Sequence, residues 1–296
     1  MTTSASLTPA EAADLFRRAP DRYLDVGAGE VALRTVGQGP DVLFVPGWPV
    51  SGATFRRLLP HLVDHVTCHL IDLPGSGSSR FDARTPITVA RHIESVRRVM
   101  DLLDGADLAV VGHDSGGMIA RHAAVGHPRL RAMGLIDTEP SGKLSWRFRS
   151  FIAGRRLPGF GRGLGWAVAR PAVRRNRLVL GDAFADASLL DGEFDEFFLR
   201  PLHEQPERLD AAMRLLRSFD MQHVRDLAAI HGRLDVPVQL VWGERDVFFP
   251  VAGAEEMLPT FPDARLAVIA GAGLFSHEER PGPVADALLP TLTGAR

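Results

Sequence analysis

Residues 108–124, LAVVGHDSGGMIARHAA, decide the fold. An apolar, β-branched run, LAVV, passes directly into GHDSGG and then into MIARHAA, a segment without Gly, Pro or a β-strand alternation. Gly112 and Gly116 permit a sharp strand-to-helix turn, and the pattern small-x-nucleophile-x-small places the central side chain at the exposed top of a sheet. That central residue is Asp114. A frame with Ser115 as nucleophile requires a small residue at 113, where His113 stands, so a serine esterase is the weaker reading. A plain helix cap at Asp114 is the structural alternative, although it leaves the flanking glycines without a reason.

Outward from this turn, short apolar runs recur at 31–36, 42–46, 66–72, 132–137, 236–242 and 265–270. Together with 108–112 they read as parallel strands buried on both faces. The stretches between them leave room for helices. Residues 88–103 set Val89, Ile93, Val96, Met100 and Leu103 on one face, with Thr88 as the N-cap. Such alternation predicts a doubly wound, mostly parallel α/β sheet with right-handed crossovers.

The alternation stops between residues 139 and 233, far longer than an ordinary connection, so this insertion carries structure of its own. The chain therefore divides into a first core part, 1–138, an inserted part, 139–233, and a second core part, 234–296. Residues 140–181 hold ten basic side chains and no acidic one, whereas 182–226 hold eleven acidic against five basic. Two amphipathic pieces attracting each other explain this asymmetry, and an arginine-lined entrance for an anionic substrate or membrane surface is the alternative.

Composition narrows the function. The 296 residues are 45% hydrophobic with a formal net charge of −2, which gives no basic excess for nucleic acid. A single cysteine, Cys68, excludes an internal disulfide and a cysteine zinc site. No metal or cofactor is expected, and the oligomeric state is left open. The first twenty residues show no basic and apolar pair of regions that would make a secretory signal, and no run approaches the ~18 apolar residues of a membrane span, so the cytoplasm is the default location. One tyrosine, Tyr23, stands against sixteen phenylalanines.

Five segments in order resemble the α/β-hydrolase family, within it the aspartate-nucleophile branch of haloalkane and haloacetate dehalogenases and epoxide hydrolases. VPGWP (45–49) looks like its oxyanion loop, DLPGSGSS (72–79) like the turn after its fourth strand, and VGHDSGG (111–117) like its nucleophile turn. VWGERD (241–246) is similar to the acid-bearing loop and GAGLFSHEERP (271–281) to the histidine loop. The resemblance implies an α/β-hydrolase fold whose insertion is a helical cap. It also implies an ester formed on Asp114, stabilised by the Trp48 and Ser115 backbone N–H groups and hydrolysed by water that a histidine activates and an acid orients. Asp246 fits the acid, with Glu244 and Glu139 as fallbacks and a turn or cap role as its structural alternative.

The histidine loop departs from the family pattern. Its histidine position holds Leu274, and His277 lies three residues later, where it is either a relocated base or a structural residue of the last helix. Pro46 likewise stands where the family's oxyanion loop has histidine. Trp48, Phe148, Phe151, Phe248, Leu274 and Phe275 are expected to line an apolar pocket for a small or medium apolar substrate, and such a pocket raises the pKa of Asp114. Three accounts follow: an aspartyl-ester hydrolase with catalytic Asp114, Asp246 and His277; a lyase, isomerase or cyclase using Asp114 as acid or base; and a binding protein. The inserted segment has no tyrosine to protonate an epoxide oxygen, and Ser115 replaces the halide-holding tryptophan or arginine of the dehalogenases. Trp48, Trp146 and Trp166 remain as possible indole donors.

Overall fold

Strands buried on both faces must be apolar at every position, and β5 (Leu108–His113) and β7 (Val238–Gly243) are buried throughout. The computed structural model describes residues 7–295; residues 1–6, part of the stretch examined for a secretory signal, lie outside them. The remaining strands are β1 (Arg22–Asp25), β2 (Glu30–Gly37), β3 (Asp41–Val45), β4 (Thr67–Asp72), β6 (Leu130–Ile136) and β8 (Ala264–Ile269). They form one sheet in the order β1-β2-β4-β3-β5-β6-β7-β8. Only β2 runs antiparallel to its neighbours, and every pair from β4 onward is parallel. This is the α/β-hydrolase fold.

Alternation along β3 shows how the two sides are filled. Leu43 and Val45 join the apolar layer that contains Val96, Met118 and Leu135, whereas Val42 and Phe44 join the layer of Phe55 and Leu288. The helix Val89–Leu102 starts as expected, with the Thr88 side chain accepting the Arg91 N–H.

The sole tyrosine, Tyr23, ahead of the first apolar run at 31–36, lies in β1, paired with Ala32, and the Arg80 guanidinium sits 3.6 Å above its ring. β1 has four residues, RYLD, of which only Leu24 is buried, so no apolar run announces it.

Between β6 and β7 the chain is helical, with helices at Trp146–Gly154, Phe160–Val168, Arg200–Glu204 and Pro206–Ser218 and a π-helical turn at Asp195–Leu199. Its basic and acidic halves are pinned together. Arg147 meets Asp182 at 2.6 Å, and the buried Arg174 guanidinium bridges Asp191 and Asp195. Among the described residues, no helix is long and apolar enough to cross a membrane.

Candidate active site

At the end of β5 the backbone turns through Asp114 at φ 51°, ψ −137°, a conformation that costs a non-glycine residue of the order of 1–3 kcal/mol. The turn closes this tightly only because its neighbours lack side chains. A Cβ at Gly116 would strike the carbonyl oxygens of Val45 and Pro46, and one at Gly112 would lie 2.6 Å from Gly117 Cα. Asp114 occupies the cap position of the helix Ser115–Ala124, yet its side chain makes no capping bond. The plain-cap reading therefore leaves the carboxyl unexplained.

That carboxyl points to the loop after β3 instead. The Trp48 N–H lies 2.9 Å from Asp114 Oδ2 and also 2.9 Å from Ser115 Oγ. Burial pushes the Asp114 pKa well above the usual carboxylate value and the nearby Glu139 charge raises it further, while hydrogen bonds from Ser115 and Trp48 oppose the shift. The Trp48 indole is committed elsewhere, donating to the Ala212 carbonyl at 2.8 Å. Trp146 and Trp166 are largely exposed. No free indole donor therefore faces Asp114, which corrects the expectation that these tryptophans supply one.

Asp114 and Ser115 open into a cavity whose empty volume, the solvent at its mouth included, is about 900 Å³. All six expected lining residues, Trp48, Phe148, Phe151, Phe248, Leu274 and Phe275, border it. Phe184, Phe194 and Phe219 from the insertion join them, and the Phe184 and Phe275 rings stack at 4.8 Å. No arginine borders this cavity; within the basic half of the insertion, Arg147, Arg174 and Arg175 are held in ion pairs with Asp182, Asp191 and Asp195. Its ionisable lining groups are Asp114 and Glu139.

The other candidate groups stand apart. Asp246 Oδ1 accepts the N–H groups of Phe248 and Phe249 at 2.7 and 3.0 Å, and its Oδ2 is buried without a hydrogen-bond partner. His277 is fully buried outside the cavity lining, its Nε2 2.8 Å from Thr54 Oγ1 and its ring edge-on to His113 at 4.3 Å. Burial, together with His113 and Arg56, holds its pKa well below the ordinary value. No hydrogen bond joins His277 to Asp246 or Asp114 among the described residues. Leu274 takes the cavity-facing place, its carbonyl accepting His113 Nε2–H at 3.0 Å. Glu244 accepts the Gly271 N–H at 2.8 Å on the exposed side of the sheet.

Glu139, foreseen only as a fallback acid, shares the cavity with Asp114 through a network that the sequence reading missed. Thr138 Oγ1 lies 2.7 Å from the Asp114 carbonyl oxygen and 3.0 Å from Glu139 Oε2. The fully buried Arg121 guanidinium reaches Thr138 Oγ1 at 3.0 Å and the Glu139 carbonyl at 2.8 Å. The signal was present as a polar run, Asp137-Thr138-Glu139, directly after an apolar strand.

Residues 42–287 match the profile of the alpha/beta hydrolase family. A pimeloyl-[acyl-carrier protein] methyl ester esterase of Chromobacterium violaceum is 30% identical over 258 residues, covering 83% of this chain and 93% of the relative. Its namesake from Xanthomonas oryzae pv. oryzae is 27% identical over 239 residues, 80% of this chain and 89% of the relative. Two solved structures share the fold. The epoxide hydrolase CorEH superposes with a TM-score of 0.76 at 19% identity over 93% of this chain and 99% of its own. An alpha/beta hydrolase fold protein of Burkholderia ambifaria superposes with a TM-score of 0.75 at 22% identity over 92% and 98%.

Proposed function

The chain belongs to the alpha/beta hydrolase family, and from that premise we propose that its Asp114 moves protons on a small or medium apolar molecule, as a lyase, isomerase or cyclase. One observation carries this reading: the histidine loop presents Leu274 and Phe275 to the cavity that holds Asp114, and no histidine borders that cavity. Hydrolysis of an ester on Asp114 needs a base within ~3 Å of the attacking water, and no imidazole lines the cavity from which that water would attack. Proton transfer needs only the carboxyl. A buried carboxyl with a raised pKa is a stronger base and a usable acid near neutrality, which suits it to both halves of such a transfer. The aromatic wall binds an apolar skeleton and keeps bulk water away, and residues 139–233 serve as the cap that supplies half of that wall.

A second reading keeps Asp114 as a nucleophile, and the Trp48 N–H on Oδ2 favours it by fixing one carboxyl oxygen and leaving the other for attack. The ester hydrolases among the relatives make such chemistry a near neighbour. Without a base, the resulting aspartyl ester persists. The test is to incubate wild type and Asp114→Asn with apolar polycyclic ketones and alcohols in D2O, and in parallel with 1-bromoalkanes and styrene oxide. The expected results are deuterium incorporation or loss of water with wild type alone, and no repeated halide or diol release. Multiple turnovers of halide or diol overturn the proton-transfer reading, and a stable mass adduct on Asp114 selects the nucleophile. Recovery of every bound compound unchanged and without deuterium refutes both.

A further inference from the structure

Hydrogen-bond arithmetic around Thr138 leads beyond Asp114. The Thr138 hydroxyl has one proton and two lone pairs. The Asp114 carbonyl, 2.7 Å away, can only accept, so it takes that proton. Arg121 donates to one lone pair at 3.0 Å. Glu139 Oε2 then faces the remaining lone pair at 3.0 Å, a favourable contact only if the glutamate supplies the hydrogen. We infer that Glu139 is a protonated carboxylic acid at neutral pH and the second acid–base group of the cavity, the pair Asp114–Glu139 carrying one proton between them.

Three further features agree. Arg121 spends its guanidinium on the Gly117 and Glu139 carbonyls, Thr138, His231 and the Met257 sulfur, and makes no bond to the Glu139 carboxyl beside it. An ionised carboxylate there would draw that cation to itself. Glu139 Oε1 is buried without a partner, which is tolerable for the carbonyl oxygen of a neutral acid and expensive for half of a carboxylate. The charged or titratable groups facing Glu139 are Asp114 from the turn and Arg121 from the helix Ser115–Ala124. A neutral Glu139 removes the like charge from Asp114, leaving burial alone to raise its pKa against the two backbone donors.

This inference rests on the proton-transfer reading and assigns it a complete cycle. The Asp114 carboxylate takes a proton from a substrate C–H, and the C–H electron pair enters a new C=C bond. The Glu139 O–H protonates the far terminus, a carbon in an isomerisation or a hydroxyl that departs as water in a dehydration. The proton on Asp114 then passes to Glu139, and the pair is restored without oxidant, reductant or cofactor. The substrate class is therefore an apolar skeleton with an activated C–H, either conjugated to an acceptor carbon or beside a hydroxyl.

Infrared difference spectroscopy on the free protein tests the protonation without a substrate. Wild type at neutral pH is expected to show a protonated-carboxyl C=O band that Glu139→Gln lacks and Asp114→Asn retains. Thr138→Val, which removes the acceptor, is expected to move that band to higher frequency. Identical spectra for wild type and Glu139→Gln overturn the inference, as does a Thr138→Val band that stays in place. The D2O assay separates the two levels. Glu139→Gln keeps a neutral donor to Thr138, so a merely structural Glu139 predicts full deuterium incorporation, whereas an acid predicts a loss of ~10²–10⁴-fold. Turnover of halide by a protein that keeps the Glu139 band sinks the proton-transfer reading and leaves the protonation standing.

Discussion

Three side chains divide the chemistry of the site. In the proposed reading Asp114 supplies the reactive carboxyl and Glu139 a second one, while Leu274 borders the cavity where the resemblance places an imidazole. Asp246 Oδ2, on the loop after β7, is buried with nothing to accept from. Leu274→His is expected to give an imidazole whose N–H finds Asp246 and whose other nitrogen reaches the cavity. Steady-state halide release from a 1-bromoalkane should then rise by ~10²–10⁴-fold over wild type, the ordinary worth of a general base. If Leu274→His forms a stable adduct on Asp114 and still does not turn over, the leucine is not what blocks hydrolysis. That Asp114, Trp48, Phe248, Leu274 and Phe275 meet at one cavity was legible because each sits in or beside a short motif of fixed spacing. Thr138 and Arg121 were not, because their importance comes from one proton shared among three oxygens, and no spacing in the chain reveals that.

At the scale of elements, the strand–turn–helix from β5 into Ser115–Ala124 is the part that sequence determines most tightly. A positive φ at Asp114 and backbone packed against backbone at Gly116 leave no freedom for a side chain. Gly116→Ala is therefore expected to destabilise the fold by about 2–3 kcal/mol, since the obstructing atoms are carbonyl oxygens and not the ends of mobile side chains. Denaturant unfolding measures it, and a change below ~0.5 kcal/mol would mean that the turn relaxes. Seven strands were readable from the sequence because a buried parallel strand is a continuous apolar run. β1 escaped because three of its four residues are not buried. The histidine loop shows the limit more sharply. Its sequence holds a histidine three residues past the usual place, and the short helix Ser276–Glu279 turns that side chain inward to Thr54 instead of out to the cavity.

At the scale of the whole molecule, Arg56–Glu193 and Arg17–Glu196 tie the insertion to the rest of the chain, and Arg174 ties the insertion to itself. Arg174, almost fully buried, holds Asp191 and Asp195 together, so its loss leaves two carboxylates facing each other. Arg174→Met should cost about 3 kcal/mol in denaturant unfolding, the low end for a broken buried pair, because both aspartates keep some solvent. Cavity closure should weaken with it, seen as reduced binding of a neutral apolar dye.

The pH dependence of stability follows from histidines that fold into the interior uncharged. His92, 3% exposed on the helix Val89–Leu102, has Nε2 3.1 Å from the Pro74 carbonyl, so Nε2 carries the hydrogen. Its Nδ1 is buried with no partner, and burial pulls its pKa down to about 4 from 6.5, the Pro74 bond opposing. Between those two values the unfolded chain binds a proton that the native one refuses, so His92 makes the native state lose stability as pH falls through that window. The slope is at most ~1.4 kcal/mol per pH unit, or about 3 kcal/mol across the window. His113, buried at the end of β5 and bonded to the Leu274 carbonyl, behaves alike, its pKa also lowered to about 4 by burial. His92→Gln keeps an N–H for Pro74 but cannot titrate. Its penalty relative to wild type, set at pH 7 by imperfect packing, should shrink steadily from pH 6.5 toward pH 4. Unfolding curves for the two proteins that stay parallel across that range would show that His92 is protonated in the native state, or that water reaches it.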